Sequence, residues 1–481
     1  MNYQKIKRVI AFLLFASLLG TKVTGFAGNA GWVNAAASNQ TTVLNSTTTS
    51  YNLETTASNG ITTTDSKATT QNAQTTTKSS VTTQGDAAVT TTQNAAAQTT
   101  TQSKAELTTE RKAVWISYID LGANEKQKKK TKKQFTSMIT EMFQNVKDMG
   151  MNTVVVHVRP FSDALYESEY YPWSAVVSGK QGKAVNYDPL EIMVSKAHEL
   201  GLTFEAWINP YRVTTNSTSI SKLSKDNPAR MWYGKSSTKR NVLIYNGQIY
   251  YNPAKSAVRQ LIVNGVKEIV ENYEVDAIHF DDYFYPTFSA YNYKTAFDAK
   301  EYNAYVKKQK KAGKSYKSIE NWRRNNVNLL VSQVYEAVHE IDDSVEFGIS
   351  PAGNLDNLKS KYSYYVDIDR WLTKEGYVDY ICPQIYWGFE NGQYSYDKVL
   401  KRWITANKKG KVKLYVGLAM YRTSSFSSSE WRNKKNIMKR SVKYGRNTGK
   451  VDGYYFFAYN SFYQKAASKE KSNLLKELKK K

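Results

Sequence analysis

The chain of 481 residues contains one cysteine, Cys382, and four histidines, and both scarcities exclude chemistry. A lone cysteine rules out a disulfide framework and any cysteine-rich zinc or iron–sulfur module. Four histidines leave too few ligands for a histidine-built site, so no metal and no cofactor are expected. Acidic residues are short as well, with 42 Asp+Glu against 67 Lys+Arg and a net charge of +25. That balance favours acidic partners such as nucleic acid, anionic wall polymers or membrane surfaces, and says nothing about fold. Long apolar runs are missing apart from residues 9–19. That run is about half of the roughly 20 residues that a spanning helix needs.

Lys5, Lys7 and Arg8 precede this run, and the small-residue stretches Gly25-Phe26-Ala27 and Ala35-Ala36-Ala37 follow it. A basic start, a short apolar core and small cleavage candidates describe a secretory signal peptide over 1–37, with an uncleaved anchor as the competing reading. No cysteine follows the run, which excludes a lipid anchor. The final residues, Lys476 to Lys481, carry no hydrophobic sorting signal. The expectation is a secreted or cell-wall-associated protein without a stable membrane anchor. Over 38–110 the composition collapses to Thr, Ser, Gln, Asn and Ala, which cannot bury enough apolar surface to offset chain entropy. This stretch reads as a low-complexity, disordered linker, leaving 111–481 as the folded domain.

That domain alternates two periods. Short β-rich runs occur at 113–118, 152–158, 202–208, 275–281, 345–350, 378–385, 413–418 and 453–458. Amphipathic stretches of helical length separate or follow them, at 132–149, 189–200, 257–272, 322–341, briefly near 369–374, then 396–406, 429–444 and 464–479. Asp188-Pro189 and Asn252-Pro253 mark helix starts, because proline suits the first turn. Eight strand–helix units are the count of an α/β (β/α)8 TIM barrel. An open doubly wound sheet would want a glycine-rich phosphate loop after its first strand, and Tyr118-Ile119-Asp120-Leu121-Gly122 is not one.

Strand alternation sorts residues by face. Val154, Val156, Val158, Phe204, Ala206, Ile208, Ile278 and Phe280 suit the helix side. His157, Arg159, Glu205, Trp207, Asn209, His279, Asp281, Glu346, Gly348, Ser350, Cys382, Gln384 and Tyr386 then point inward. Arg159, Asn209, Asp281, Ser350 and Tyr386 lie at strand C-termini, where this fold places its sites. Glu205 lies about 13 Å deeper than Asn209 at about 3.3 Å per residue. It reads as a structural partner for His157, His279 or Arg159.

The long insertions 161–187, 213–251 and 283–321 follow the second, third and fourth strands and are crowded with rings, from Tyr166, Tyr170, Tyr171 and Trp173 to Tyr283, Phe284, Tyr285, Phe288, Tyr291 and Tyr293. Rings present flat apolar faces with polar edges, which suits sugars, although such loops also bury rings against one another. Asp281-Asp282 is the sharpest chemical feature. Adjacent carboxylates repel when both are ionised, so one pKa rises, giving an acid and an anion at one pH, the pairing that glycoside hydrolysis uses. A divalent-metal site or a loop cap would also use two aspartates.

Arg111-Lys112-Ala113-Val114-Trp115-Ile116, the run from Asn152 to Arg159, Ala206-Trp207-Ile208-Asn209-Pro210-Tyr211-Arg212, His279-Phe280-Asp281-Asp282-Tyr283-Phe284-Tyr285-Pro286, Gly348-Ile349-Ser350-Pro351 and Cys382-Pro383-Gln384-Ile385-Tyr386-Trp387, in this order, resemble the glycosyl hydrolase-like 10 family of exported bacterial (β/α)8 proteins. The resemblance implies a glycosidase acting on cell-wall glycan, specifically peptidoglycan strands stripped of stem peptides. On that reading Arg159, Trp207, Asn209, Tyr211, Arg212, His279, Tyr283, Gln384, Tyr386 and Trp387 bind substrate, and Asp281, Asp282 and Glu390 are catalytic. Glu390 is the candidate for a second carboxylate across the cleft, its plain alternative being a solvated loop residue. An N-acetylated sugar offers a different scheme, in which the acetamido oxygen replaces the nucleophile and the two aspartates share the roles of acid and orienting base. Two rival functions keep the same fold: a non-catalytic glycan-binding barrel, and a metal-dependent phosphodiesterase. The expected partner is cell-wall polysaccharide, with attraction to anionic wall polymers but no nucleic acid. The lysine run at 126–133 reads as a solvated face.

Overall fold

The computed structural model describes residues 110–123, 129–425 and 428–480. The expected signal peptide, all of the expected linker but Glu110, and part of the lysine run lie outside the described residues. Glu110, assigned above to the linker, belongs to the folded domain. Its carboxylate accepts two hydrogen bonds of 2.7 Å from Arg446, and its carbonyl accepts one from Asn152.

Eight parallel strands close a barrel: β1 (Arg111–Ile116), β2 (Thr153–Arg159), β3 (Thr203–Ile208), β6 (Ala277–Phe280), β7 (Glu346–Ile349), β8 (Tyr380–Ile381), β9 (Lys413–Leu418) and β10 (Gly453–Phe457). The strand order around it is β1-β10-β9-β8-β7-β6-β3-β2. A separate hairpin, β4 (Val242–Tyr245) and β5 (Gln248–Tyr251), stands in the insertion after β3. The longer helices are α1 (Lys132–Asp148), α2 (Pro189–Glu199), α3 (Ser256–Asn272), α4 (Ala299–Lys311), α5 (Ile319–Ile341), α6 (Tyr396–Ala406), α7 (Ile437–Asn447) and α8 (Ser468–Leu478). The architecture is the (β/α)8 barrel that the alternation implies.

Local chemistry explains several boundaries. α2 starts where expected, since Asp188 accepts from the N–H groups of Leu190 and Glu191 and Pro189 opens the helix. α3 starts three residues after Pro253, because Asn252 closes a turn with Ala254 and Lys255 first. The strand expected over 378–385 is a ladder only at Tyr380–Ile381. Pro383 has no N–H to donate, and pairing resumes at Gln384, which bridges Ala352 and Gly417. The single helix expected over 429–444 is broken into Ser429–Asn433 and α7. The buried Glu470 of α8 caps α7 by accepting from the Met438 N–H at 2.6 Å.

Val154, Val156, Val158, Phe204, Ala206, Ile208, Ile278 and Phe280 pack into the layer between barrel and helices, whereas Trp115, Val155, Trp207, Ala277, Tyr380, Cys382, Tyr415 and Tyr455 fill the barrel interior. Glu205 is the hub of that interior, and its partners differ from those expected. Oε1 accepts from Arg111 Nη1 at 2.9 Å and Tyr455 Oη at 2.6 Å, and Oε2 accepts from Tyr380 Oη at 2.7 Å. Of the three residues anticipated, His279 alone is close, with Nδ1 3.6 Å from Oε2. Gly348 leaves the room that Tyr380 occupies: a Cβ there would lie 2.0 Å from the ring. Gly348→Ala should therefore overpack the barrel and lower stability by about 1–3 kcal/mol. A wild-type midpoint in denaturant titration would contradict this.

Candidate active site

Asp281 directly follows β6 and is 1% exposed. Trp207 Nε1 donates to Oδ2 at 3.2 Å, and Asn209 Nδ2 reaches Oδ1 and Oδ2 at 3.1 and 3.0 Å. The Tyr283 N–H donates to Oδ1 at 3.2 Å. Asn209 is oriented in turn, because its Oδ1 accepts from the Arg212 N–H at 3.3 Å. Trp207 is held by packing: its ring stacks on His157 with centroids 3.3 Å apart and meets His279 edge-on at 6.4 Å. Every partner of Asp281 is a donor, which matches an ionised carboxylate. Burial raises its pKa above the ordinary value, and the Arg212 guanidinium together with these donors pulls it back.

Asp282 stands outside this cage and is half-buried. Burial, then the charge of Asp281, pushes its pKa up to about 8. At neutral pH the pair therefore holds one charge, on Asp281, and one proton, on Asp282. Side-chain donors from Trp207 and Asn209 reach Asp281, and the charge they hold there adds to burial in raising Asp282.

Rings surround the pair. The Arg212 guanidinium donates from Nε and Nη2 to the Pro160 carbonyl and lies 5.1 Å from the Phe161 ring and 4.9 Å from the Tyr283 ring. Tyr386, which lies near Asp282 and Tyr283, stacks on Phe457 at 6.2 Å and meets Tyr421 edge-on at 6.0 Å. Gln384 and Trp387 are half-buried beyond Tyr386, with Gln384 Nε2 donating to the Ser350 carbonyl at 3.0 Å. The structure thus brings together Asp281, Asp282, Trp207, Asn209, Arg212, Tyr283 and Tyr386. Phe161, Tyr421 and Phe457 complete the rim and were not singled out from sequence. Phe457 was legible, since alternation along β10 puts it on the same face as Tyr455.

Four expected site residues are elsewhere. A β-bulge between His157 and Arg159 pairs Arg159 with the outward-facing Ile208, so its guanidinium lies 4.4 Å from the Tyr171 ring, beside Gly265 of α3. Tyr211 is fully buried in the layer between barrel and helices, edge-on to Phe284 at 6.4 Å, and cannot touch a substrate. His279 is fully buried in the floor: Nε2 accepts from Trp115 Nε1 at 3.2 Å, which leaves Nδ1 to donate to Tyr380 Oη at 2.8 Å. Glu390 is an exposed loop residue. Among the described residues only its backbone is engaged, donating at 3.0 Å to Glu430, which also accepts from the Phe389 N–H at 2.8 Å. Glu430 is a buried loop anchor that no sequence signal marked. Among the described residues, no group of three or more His, Cys, Asp or Glu is placed to hold a metal.

A parallel eight-stranded barrel with two adjacent, unlike carboxylates at the C-terminal end of one strand, rimmed by rings, is an architecture of the glycoside hydrolase type. The chain belongs to the glycosyl hydrolase-like 10 family, whose model matches residues 110–433. It is 35% identical over 346 residues to "Glycosyl hydrolase YngK" of Bacillus subtilis (strain 168), covering 68% of this chain and 64% of that one. It is 33% identical over 300 residues to "Glycosyl hydrolase DigH" of Escherichia coli (strain K12), covering 59% and 65%. The chain thus spans just under two thirds of the length of either relative. Among solved structures, the catalytic domain of a β-amylase from Paenibacillus polymyxa is similar over 77% of this chain and 99% of that one, at 13% identity and a TM-score of 0.47, too distant to bear on function.

Proposed function

We propose that this protein hydrolyses glycosidic bonds of bacterial cell-wall glycan, in peptidoglycan strands that lack stem peptides. The observation that carries the catalytic part is the unequal aspartate pair. Asp282, protonated at neutral pH and partly open to solvent, is the general acid that protonates the leaving-group oxygen. Asp281, ionised and immobilised, faces the charge that develops on the sugar. Glu390 is not drawn to the pair, which favours the scheme in which an N-acetyl oxygen of the substrate bonds to the anomeric carbon as the glycosidic bond breaks. Water then opens that cyclic intermediate, with Asp282 taking the proton back. Asp281 orients the acetamido group and balances its positive charge. Family membership, with relatives named as glycosyl hydrolases, supports the class.

The same reading places the protein outside the cell, on the strength of the N-terminal pattern. Among the described residues no helix is long and apolar enough to cross a membrane. With charge-based retention on the wall, high salt should release a processed form. Full-length protein staying in washed membranes would overturn this part. Product analysis tests the activity: denuded glycan strands should yield shorter saccharides, and strands with intact stem peptides far less. Tight binding of both without products would make the barrel a binding module.

A further inference from the structure

The insertion that leaves β6 after the two aspartates carries a ring left almost wholly in solvent. Tyr291 is 95% exposed, whereas Phe284, Tyr285 and Phe288 of the same insertion are buried. A ring on a loose tip would mean little, but this tip is built. The Ser289 N–H donates to Asn292 Oδ1 at 2.9 Å, the Asn292 N–H donates to Ser289 Oγ at 3.2 Å, and the Tyr293 N–H donates to the Ser289 carbonyl at 3.1 Å. Asn292 Nδ2 also reaches Tyr245 Oη of β4 at 3.1 Å. The base of the turn is pinned by Phe288, whose N–H donates to the Tyr362 carbonyl at 2.7 Å and whose ring lies 4.5 Å from the Arg323 guanidinium. Arg323 is itself buried against Asp298 at 2.6 Å. Two residues beyond Tyr291, the Tyr293 ring meets Tyr362 edge-on at 5.1 Å, and Tyr362 is 37% exposed.

We infer that Tyr291, with Tyr293 and Tyr362, forms a second glycan-binding platform that grips the strand outside the cleft; this rests on the hydrolase reading above for the identity of the polymer. A tyrosine offers an apolar face to sugar C–H groups and a hydroxyl to their rims. The turn holds its backbone in advance, and a tyrosine has only two side-chain rotations to lose on binding. The platform continues from the cleft along the chain. Tyr291 lies nine residues after Asp282, so the two are at most roughly 30 Å apart even if the chain were extended. One polymer can therefore touch both, and the second contact becomes intramolecular once the first has formed. Short fragments, which reach only the cleft, gain nothing from it.

The experiment compares the full chain with Tyr291→Ala, Tyr362→Ala, the double variant and Tyr291→Trp. Retention on insoluble denuded glycan strands is read by co-sedimentation, and kcat and KM on a soluble tetrasaccharide fragment of the same glycan. Each alanine should weaken retention on strands by roughly three- to tenfold, leave both constants on the fragment at wild-type values, and Tyr291→Trp should retain binding. Wild-type retention in the double variant overturns the proposal, as does an equal loss on strands and fragment. A wild-type dimer that Tyr291→Ala dissociates would make the platform a self-association surface and also overturns it. If wild-type protein cleaves neither substrate but still grips strands through Tyr291, the platform stands and the hydrolase reading fails.

Discussion

Asp282→Asn should lower glycan hydrolysis by roughly 10²–10⁴-fold, the range for losing a general acid, while strand binding persists. Asn keeps the volume and removes the proton. Asp281→Asn should be comparably severe, because it replaces the anion that stabilises the transition state and also disturbs the donors around it. Glu390→Gln should behave as wild type, since that side chain is exposed and, among the described residues, only its backbone is engaged. The pH profile follows from the same geometry. Turnover requires protonated Asp282 and so declines as pH rises through about 8. On the acid side it declines as Asp281 takes up a proton, above the ordinary carboxylate value because burial raises that pKa. Trp207→Phe removes one donor to Asp281 and should move the acid limb further up while leaving the alkaline limb in place. Full turnover in Asp282→Asn, with the fold intact by circular dichroism, would remove this residue from the mechanism.

Glu205→Ala should cost about 3–5 kcal/mol of stability, the usual effect of stranding a buried charge. Arg111, Tyr380 and Tyr455 all donate to this carboxylate inside the barrel. Burial pushes the Glu205 pKa up, but the neighbouring His279 and the Arg111 charge outweigh it, so the folded value lies below the ordinary one. A depressed carboxylate stabilises the fold above its unfolded pKa, and that stability is lost as pH falls through the folded value. Calorimetry should therefore find the difference between wild type and Glu205→Ala shrinking toward acid pH. An unchanged melting midpoint at neutral pH would refute the hub role. Combining Arg111→Met with Glu205→Leu should recover much of the loss, because apolar pairs of similar size can replace buried ion pairs.

Much of this was legible in the linear chain. Period and spacing are local properties, so eight strand–helix units and the barrel they imply could be read from the order of residues. Alternation also put Glu205, Trp207, His279 and Asp281 on the inner face, because successive side chains on a strand point opposite ways. Asp281-Asp282 stood out for the same kind of reason, as two like charges that covalent neighbours cannot separate.

Other features depended on partners distant in sequence. One bulged residue in β2 reversed the parity of Arg159, and no residue type announces where a ladder slips. Arg111 was read only as part of a motif, yet closure of β1 beside β10 sets it against Glu205, 94 residues away. The roles within the aspartate pair were likewise undecided by order. Donors from Trp207 and Asn209, brought in by β3, converge on Asp281 and leave Asp282 with the proton. The barrel, its inner face and the place of the carboxylates follow from periodicity along one chain. Which carboxylate is caged by donors and which is pushed up to about 8 follows from folding alone, because a pKa answers to the burial, charges and donors gathered around a group.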